Sequence, residues 1–246
     1  MKVNGMNVEG IVRIANAEVY GLKQSIIASA YPMATSYCED MNQYVVEEKD
    51  FKRVRHLGKA TPGSGHDCFL KGIQVQFDLQ APEYIWRQLD RYHFIDYISS
   101  QSKMHMILKF DIDEMCNKYV TEDAIVNLKK YIDYYNNVDW YSGRFKKDYE
   151  EDCVRRRRKI DPNWEFKLKL RNGEEMEFTK ENLFKMIIAN CPCGFMLTAR
   201  MTTNYLQLKS IINQRSNHKM QEWHYITDWM KGLPLVDEIV MKNWED

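Results

Sequence analysis

Apolar and polar residues alternate most strictly between Leu70 and Leu79. Ile73, Val75, Phe77 and Leu79 fall on one face, and Gln74, Gln76 and Asp78 on the other. A period of two lets one face meet a core, so this stretch predicts a β-strand. Residues 7 to 20 alternate more loosely through Ile11, Val12, Ile14, Val19 and Tyr20 and predict another strand, punctuated by Gly21. Leu22 to Ala30 predicts a short helix that stops at Tyr31-Pro32, because the residue before a proline is pushed out of the α region. From Glu39 to Arg55 charge dominates, and a mobile or amphipathic connector is expected. Gly58 to Gly65 is rich in glycine, holds Pro62 and reads as a loop.

Downstream the period lengthens. Pro82 suits the first turn of a helix. In that helix Gln88, Arg91 and Tyr92 stand at i, i+3 and i+4 and share one face, with Trp86, Leu89 and Phe94 close by. Thr121 is expected to cap a helix with Ile125, Leu128, Ile132 and Tyr135 along one stripe. Residues 136 to 178 read as an insertion into a single domain that spans 1–246. Its hairpin, Phe166 to Phe178, turns at Asn172-Gly173, the pair favoured by a type I′ turn. Thr179 starts a short helix that ends near Asn190. From Thr202 to Lys231 the pattern is helical, with its end marked by Gly232 and Pro234. Tyr205, Leu208 and Ile212 form its core stripe. Asn204, Ile211, Arg215, His218 and Glu222 form a neighbouring, largely polar one, which residue pattern alone reads as a solvated face.

Composition narrows the function classes. The chain has 246 residues, enough for a sizeable core, and its 35 basic and 35 acidic side chains cancel. A general nucleic-acid binder held by net charge is therefore disfavoured. The cationic run Arg155 to Lys159 follows acidic Glu150, Glu151 and Asp152, as a solvated helical face does. No apolar run reaches membrane-spanning length and the first residues lack an apolar leader, so a soluble, cytoplasmic protein without a membrane partner is expected. Cysteines 38, 68, 116, 153, 191 and 193 then read as free thiols, and Cys191-Pro-Cys193 is too tight for a zinc knuckle.

Candidate chemistry gathers around residues 86 to 105. The run Ser99-Ser100-Gln101-Ser102-Lys103 offers hydroxyls, backbone amides and an ammonium that could wrap a phosphate; a solvated helix end explains the same residues. This stretch resembles the motif of the flavin-dependent thymidylate synthases. Arg91-Tyr92-His93 sits where that family has Arg-His-Arg, and Ser99 to His105 resembles the second half of its pattern, allowing one extra residue. Two further blocks support the resemblance. His66-Asp-Cys-Phe-Leu-Lys-Gly-Ile-Gln-Val-Gln-Phe77 resembles the family's histidine-led strand, with Ala81-Pro82 and Arg87-Gln88 following at its spacing. Leu197-Thr-Ala-Arg-Met-Thr-Thr-Asn204, continued through Arg215 to Gln221-Glu222, is similar to its C-terminal helix.

The resemblance implies an α+β fold, with helices packed on a mainly antiparallel sheet, and a homotetramer. It implies an enzyme that takes a one-carbon group from methylenetetrahydrofolate, reduces it with a flavin hydride and leaves a methyl on carbon 5 of dUMP, with FAD reloaded by NADPH. Such chemistry resides in the cofactor, so neither a cysteine nucleophile nor a catalytic triad is required. By resemblance Arg91, Tyr92, His93 and Asn204 would contact the flavin. Gln88 would read the pyrimidine edge, as a side chain that both donates and accepts can. Ser100, Gln101, Ser102 and Lys103 would take the nucleotide phosphate. Arg215 would stabilise charge developing on the ring, and His66 would stand near the flavin; a structural histidine at a strand start is the other reading.

The chain also departs from the family pattern. Tyr92 and His93 replace a histidine and an arginine, Ser99-Ser100 replaces Asn-Glu, Met104-His105 replaces Arg-Tyr, and Leu206 stands where an arginine is usual. Fewer guanidinium forks predict weakened or redirected phosphate binding, because lysine is a point charge. Three function classes follow: the enzyme, a family-fold protein that binds flavin or a pyrimidine nucleotide without methyl transfer, and a basic-run nucleic-acid binder. The Arg91, Asn204 and Arg215 matches favour the first two.

Overall fold

The computed structural model describes residues 1–36, 38–61, 63–141, 144–155 and 167–241, with the side chains of 152–155 and 167 excepted. Of the cationic run Arg155 to Lys159, only the backbone of Arg155 is described, and the other four residues lie outside the described residues. In chain order the elements are β1 (Lys2–Val3), β2 (Met6–Val8), β3 (Val12–Tyr20), α1 (Leu22–Ala28), α2 (Glu48–Gly58), β4 (Gln74–Pro82), α3 (Glu83–Leu89) and β5 (Ile95–Ser100). There follow α4 (Lys103–Met106), α5 (Ile112–Met115), α6 (Glu122–Asn137), β6 (Val138–Asp139), β7 (Arg144–Phe145), α7 (Lys147–Arg155), β8 (Lys167–Lys169), β9 (Glu175–Glu177) and α8 (Lys180–Ala189). The chain closes with β10 (Met196–Asn204), α9 (Tyr205–Arg215), α10 (Gln221–Lys231) and α11 (Val236–Ile239). It divides into two compact units, 1–100 with 197–246, and 101–196.

The first unit is built on a mainly antiparallel sheet in the order β1-β3-β4-β10-β5, with β2 paired to β3. As the period-two pattern predicts, Val75, Phe77 and Leu79 of β4 are buried beside Val12, Ile14 and Val19 of β3 and Met201 of β10. Helices α9 and α10 close over that core with Tyr205, Leu208, Ile212, Trp223, Ile226 and Met230, all buried. Trp229 of α10 meets Phe77 of β4 at 5.0 Å between ring centroids. Each such large apolar side chain contributes about 1.5–3 kcal/mol through burial.

Local expectations are corrected or sharpened in several places. Residues 7 to 20 make two strands, β2 and β3, because Gly10, at φ 65°, lets the chain reverse between them. The second half of the charged connector is helix α2, held by a reciprocal capping box between Glu47 and Asp50. Leu70 belongs to a 3-10 turn over Cys68–Gly72, and the strand begins only at Gln74. The stretch from Thr202 is not one helix: its start completes β10, and α9 and α10 are separate. At that break the His218 ring nitrogen accepts from the Met220 amide at 3.1 Å, and the Ser216 hydroxyl bonds the Ile212 carbonyl at 2.7 Å. Such local side-chain bonds compete with helix continuation. Finally, the hairpin β8–β9 forms, but positive φ occurs at Gly173 and not at Asn172, so the turn is not type I′.

The second unit is mainly helical. Its helix α6 starts after Thr121, whose hydroxyl makes no capping bond, and buries Leu128 and Ile132. Tyr135 of α6 lies 5.9 Å from the Phe184 ring of α8, and Trp140 stacks on Phe178 at 5.6 Å. Residues 136–178 fall within this unit. Among the described residues no helix is long and apolar enough to cross a membrane.

Candidate functional site

Helix α3 ends at Leu89, before Arg91 and Tyr92. The chain is drawn off the helix by long-range bonds. The Thr203 hydroxyl donates to the Phe94 carbonyl at 2.8 Å, the Gln207 side-chain oxygen accepts from the Phe94 amide at 3.3 Å, and Ile95 pairs with Thr203 to open β5. The expected shared face of Gln88, Arg91 and Tyr92 is thus corrected. Arg91 and His93 lie exposed in the turn, whereas Tyr92 swings back toward α9.

There Tyr92 and Gln88 meet Arg215, the last residue of α9. Arg215 Nε donates to the Tyr92 hydroxyl at 2.7 Å, and Nη1 donates to Gln88 Oε1 at 3.1 Å. Trp223 Nε1 donates to the same Gln88 oxygen at 3.0 Å. Gln88 Nε2 donates to the Tyr84 carbonyl at 3.1 Å, so its amide orientation is dictated by donors on one side and an acceptor on the other. The guanidinium lies 4.8 Å from the Trp223 ring and 5.6 Å from that of Tyr92. Arg215 is half-buried, and among the described residues no hydrogen bond engages Nη2. The result is a permanent cation with a fixed orientation and one edge left for an anion or an electron-rich carbonyl.

Sequence reasoning missed several members of this site. Trp223 is fully buried, and Glu222, assigned by periodicity to a solvated stripe, is 2% exposed and accepts from the Tyr84 hydroxyl. Ile211 is likewise buried rather than wet. His218 packs edge-on to Trp223 at 6.2 Å. Burial holds its pKa below the usual histidine value, helped by the nearby Arg215 and His224 charges.

A cavity of about 460 Å³ lies beside this cluster, walled by Gly63, Gly65, Cys68, Lys71, Ser210 and Gln214 among others. Its volume is that of a small-molecule site. Lys209 and Asp67, 5% and 3% exposed, form an ion pair of 2.7 Å in its wall, and Lys209 also donates to the Ala60 carbonyl at 2.7 Å. That pair fastens the glycine loop to α9. The cavity touches the arginine cluster through Gln214, whose Oε1 accepts from the Tyr92 hydroxyl at 3.1 Å.

The remaining expected residues fall on other elements. Asn204 caps α9, its side-chain oxygen accepting from the Gln207 amide at 2.9 Å. His66 is exposed in the turn before the 3-10 segment, not at the start of a strand. Among the described residues, Arg91, Tyr92, His93 and Asn204 are not cavity-lining. Ser100 ends β5, opposite Ala199. In the second unit, Ser102 caps α4, its hydroxyl accepting from the His105 amide at 3.3 Å, with Gln101 before it and Lys103 as the first helical residue.

The first unit's sheet, flanked by α3, α9 and α10, can be placed among solved structures. The flavin-dependent thymidylate synthase ThyX from Helicobacter pylori, complexed with FAD and dUMP, superposes with a TM-score of 0.53 at 13% identity, covering 94% of this chain and 98% of that one. The fold is that of the flavin-dependent thymidylate synthases. The UMP/dUMP methylase PolB from Streptomyces cacaoi, bound with 5-Br dUMP, shares the thymidylate synthase fold with a TM-score of 0.51 at 12% identity, over 92% of this chain and 91% of that one. No family model and no curated protein matches the sequence. The expected α+β, mainly antiparallel thymidylate synthase-like architecture is therefore present at the level of backbone.

Proposed function

We propose that the chain is a divergent flavin-dependent thymidylate synthase-like enzyme that methylates carbon 5 of dUMP or a related pyrimidine nucleotide. The observation that carries this reading is the pinned guanidinium of Arg215, set in a fold shared with proteins described as bound to dUMP or 5-Br dUMP. Its open edge suits a pyrimidine carbonyl, where it would stabilise negative charge spreading through the ring.

The donors of the cavity fit a flavin ring: Lys71, Ser210, Asn213 and Gln214 offer an ammonium, a hydroxyl and two amides to its carbonyl edge. Bound FAD would supply the hydride, with methylenetetrahydrofolate as carbon source and NADPH as reductant. Ser100 to Lys103 remains the proposed phosphate-binding stretch. A homotetramer and a cytoplasmic location belong to the same proposal.

One observation favours the second reading, a binder without methyl transfer. Gln88 spends its oxygen on Arg215 and Trp223 and one amide hydrogen on Tyr84, so reading a uracil edge would require it to exchange partners.

The test is to add FAD to the purified protein, desalt it and record the visible spectrum, then assay tritium release from 5-tritiated dUMP. The enzyme reading expects retained flavin, lost when Ser210→Phe fills the cavity, and tritium release that is lost in Arg215→Ala. Retained flavin without tritium release selects the second reading. A colourless protein that binds no nucleotide overturns both.

A further inference from the structure

Arg215 ends α9, and the chain turns immediately after it, so the helix itself does little to fix so long a side chain. What fixes it is a line of hydrogen bonds through one phenol. The Tyr92 hydroxyl accepts from Arg215 Nε at 2.7 Å and donates to Gln214 Oε1 at 3.1 Å. Gln214 Nε2 in turn reaches the Ser210 hydroxyl at 3.4 Å. Ser210 and Gln214 both line the cavity. A phenol has one hydrogen and acceptor lone pairs, so these two partners set the torsion of the hydroxyl. On the other side Gln88 holds Nη1, and Trp223 supports the face of the guanidinium.

We propose that Tyr92 is a positioning residue whose hydroxyl sets the orientation of Arg215 and joins it to the Ser210–Gln214 wall of the cavity. The proposal deepens the nucleotide-binding reading and rests on it for its effect on ligand affinity. It assigns Tyr92 a task toward another side chain rather than a direct contact with flavin. Phenylalanine keeps the ring against Arg215 and Trp223 and removes only the hydroxyl, with its two bonds to Arg215 and Gln214.

The first measurement is the Arg215 Nε–Hε correlation in 15N-labelled protein, assigned by its loss in Arg215→Lys. It is expected to be resolved and slow to exchange in the wild type, and to collapse into the bulk arginine signals in Tyr92→Phe. An unchanged signal in that variant overturns the proposal. The second measurement is dUMP affinity by equilibrium dialysis, in a double-mutant cycle with Arg215→Ala. Tyr92→Phe should weaken dUMP binding about tenfold in the wild type and have no further effect once Arg215 is alanine. Equal weakening in both backgrounds would mean that the phenol acts on the ligand directly, which also overturns it. If the wild type binds no dUMP, the nucleotide reading fails, and the resonance alone decides whether Tyr92 positions Arg215.

Discussion

Gln88 and Arg215, 127 positions apart, are joined by a 3.1 Å hydrogen bond whose acceptor oxygen also takes the Trp223 indole N–H at 3.0 Å. Two donors converging on one amide oxygen lock its rotamer, and the amide then holds the cation without neutralising it. Gln88→Glu should keep the cation in place and cancel its charge. The expected outcome is dUMP affinity reduced about tenfold or more, since a charge-assisted pair competes with the ligand. The thermal midpoint should be lowered, because the second carboxylate oxygen would face the Tyr84 carbonyl that the amide now donates to. Equilibrium dialysis and a thermal melt check this together. Undiminished affinity would show that Arg215 does not meet the nucleotide.

The buried Lys209–Asp67 pair makes a stability prediction. Lys209→Met leaves Asp67 charged and nearly inaccessible to water, which costs about 3–5 kcal/mol when a partner is removed from a buried pair. Lys209→Met with Asp67→Leu should recover much of the loss, because no orphaned charge remains. Urea unfolding of both variants decides it; equal destabilisation by the single and double changes would contradict the account.

Gly58 ends α2 where it crosses α11. A Cβ there would stand 1.8 Å from the Ile239 carbonyl oxygen. Backbone cannot yield as a flexible side chain can, so Gly58→Ala should cost about 2 kcal/mol or more by forcing the two segments apart. Gly232→Ala, whose nearest neighbour would be 3.4 Å away, serves as the control in the same melts.

His218 gives a pH dependence whose sign is fixed. Its folded pKa lies below the ordinary value of 6.5, so in the window between the two the unfolded chain binds more protons. Stability from this group is complete above 6.5 and falls as pH drops through that window toward the folded pKa. Burial is the largest cause, and Arg215, His224 and Lys219 act with it against protonation while Glu222 favours it. His218→Gln should therefore flatten the dependence of unfolding free energy on pH just below 6.5. A slope identical to wild type would remove His218 as its source.

How far the sequence carried depended on the range of the forces involved. The alternation of Val75, Phe77 and Leu79 located β4, and Thr179 located the start of α8, because period and capping act within a few residues. Gly232 marked the end of α10 for the same reason. The end of α3 at Leu89 was not legible, since Gln207 and Thr203, more than a hundred positions away, catch the Phe94 backbone. Strand β5 was missed because it is an edge strand with only Ile95 buried, leaving no alternation to read.

Residue pattern alone sets the helix and strand periods, the glycine-rich loop before His66, and the presence of Gln88, Tyr92 and Arg215 in blocks resembling one family. Tertiary structure decided which of these meet. Arg91, one residue from Tyr92, is left in solvent, while Tyr92 closes on Arg215 and Trp223 from α10 completes the cage. It also turned Asn204 into a helix cap and Lys209 into half of a buried ion pair. A side chain's identity fixes which bonds it can make. Which partner it finds depends on long-range strand pairing and helix packing, whose contacts leave no local period in the chain.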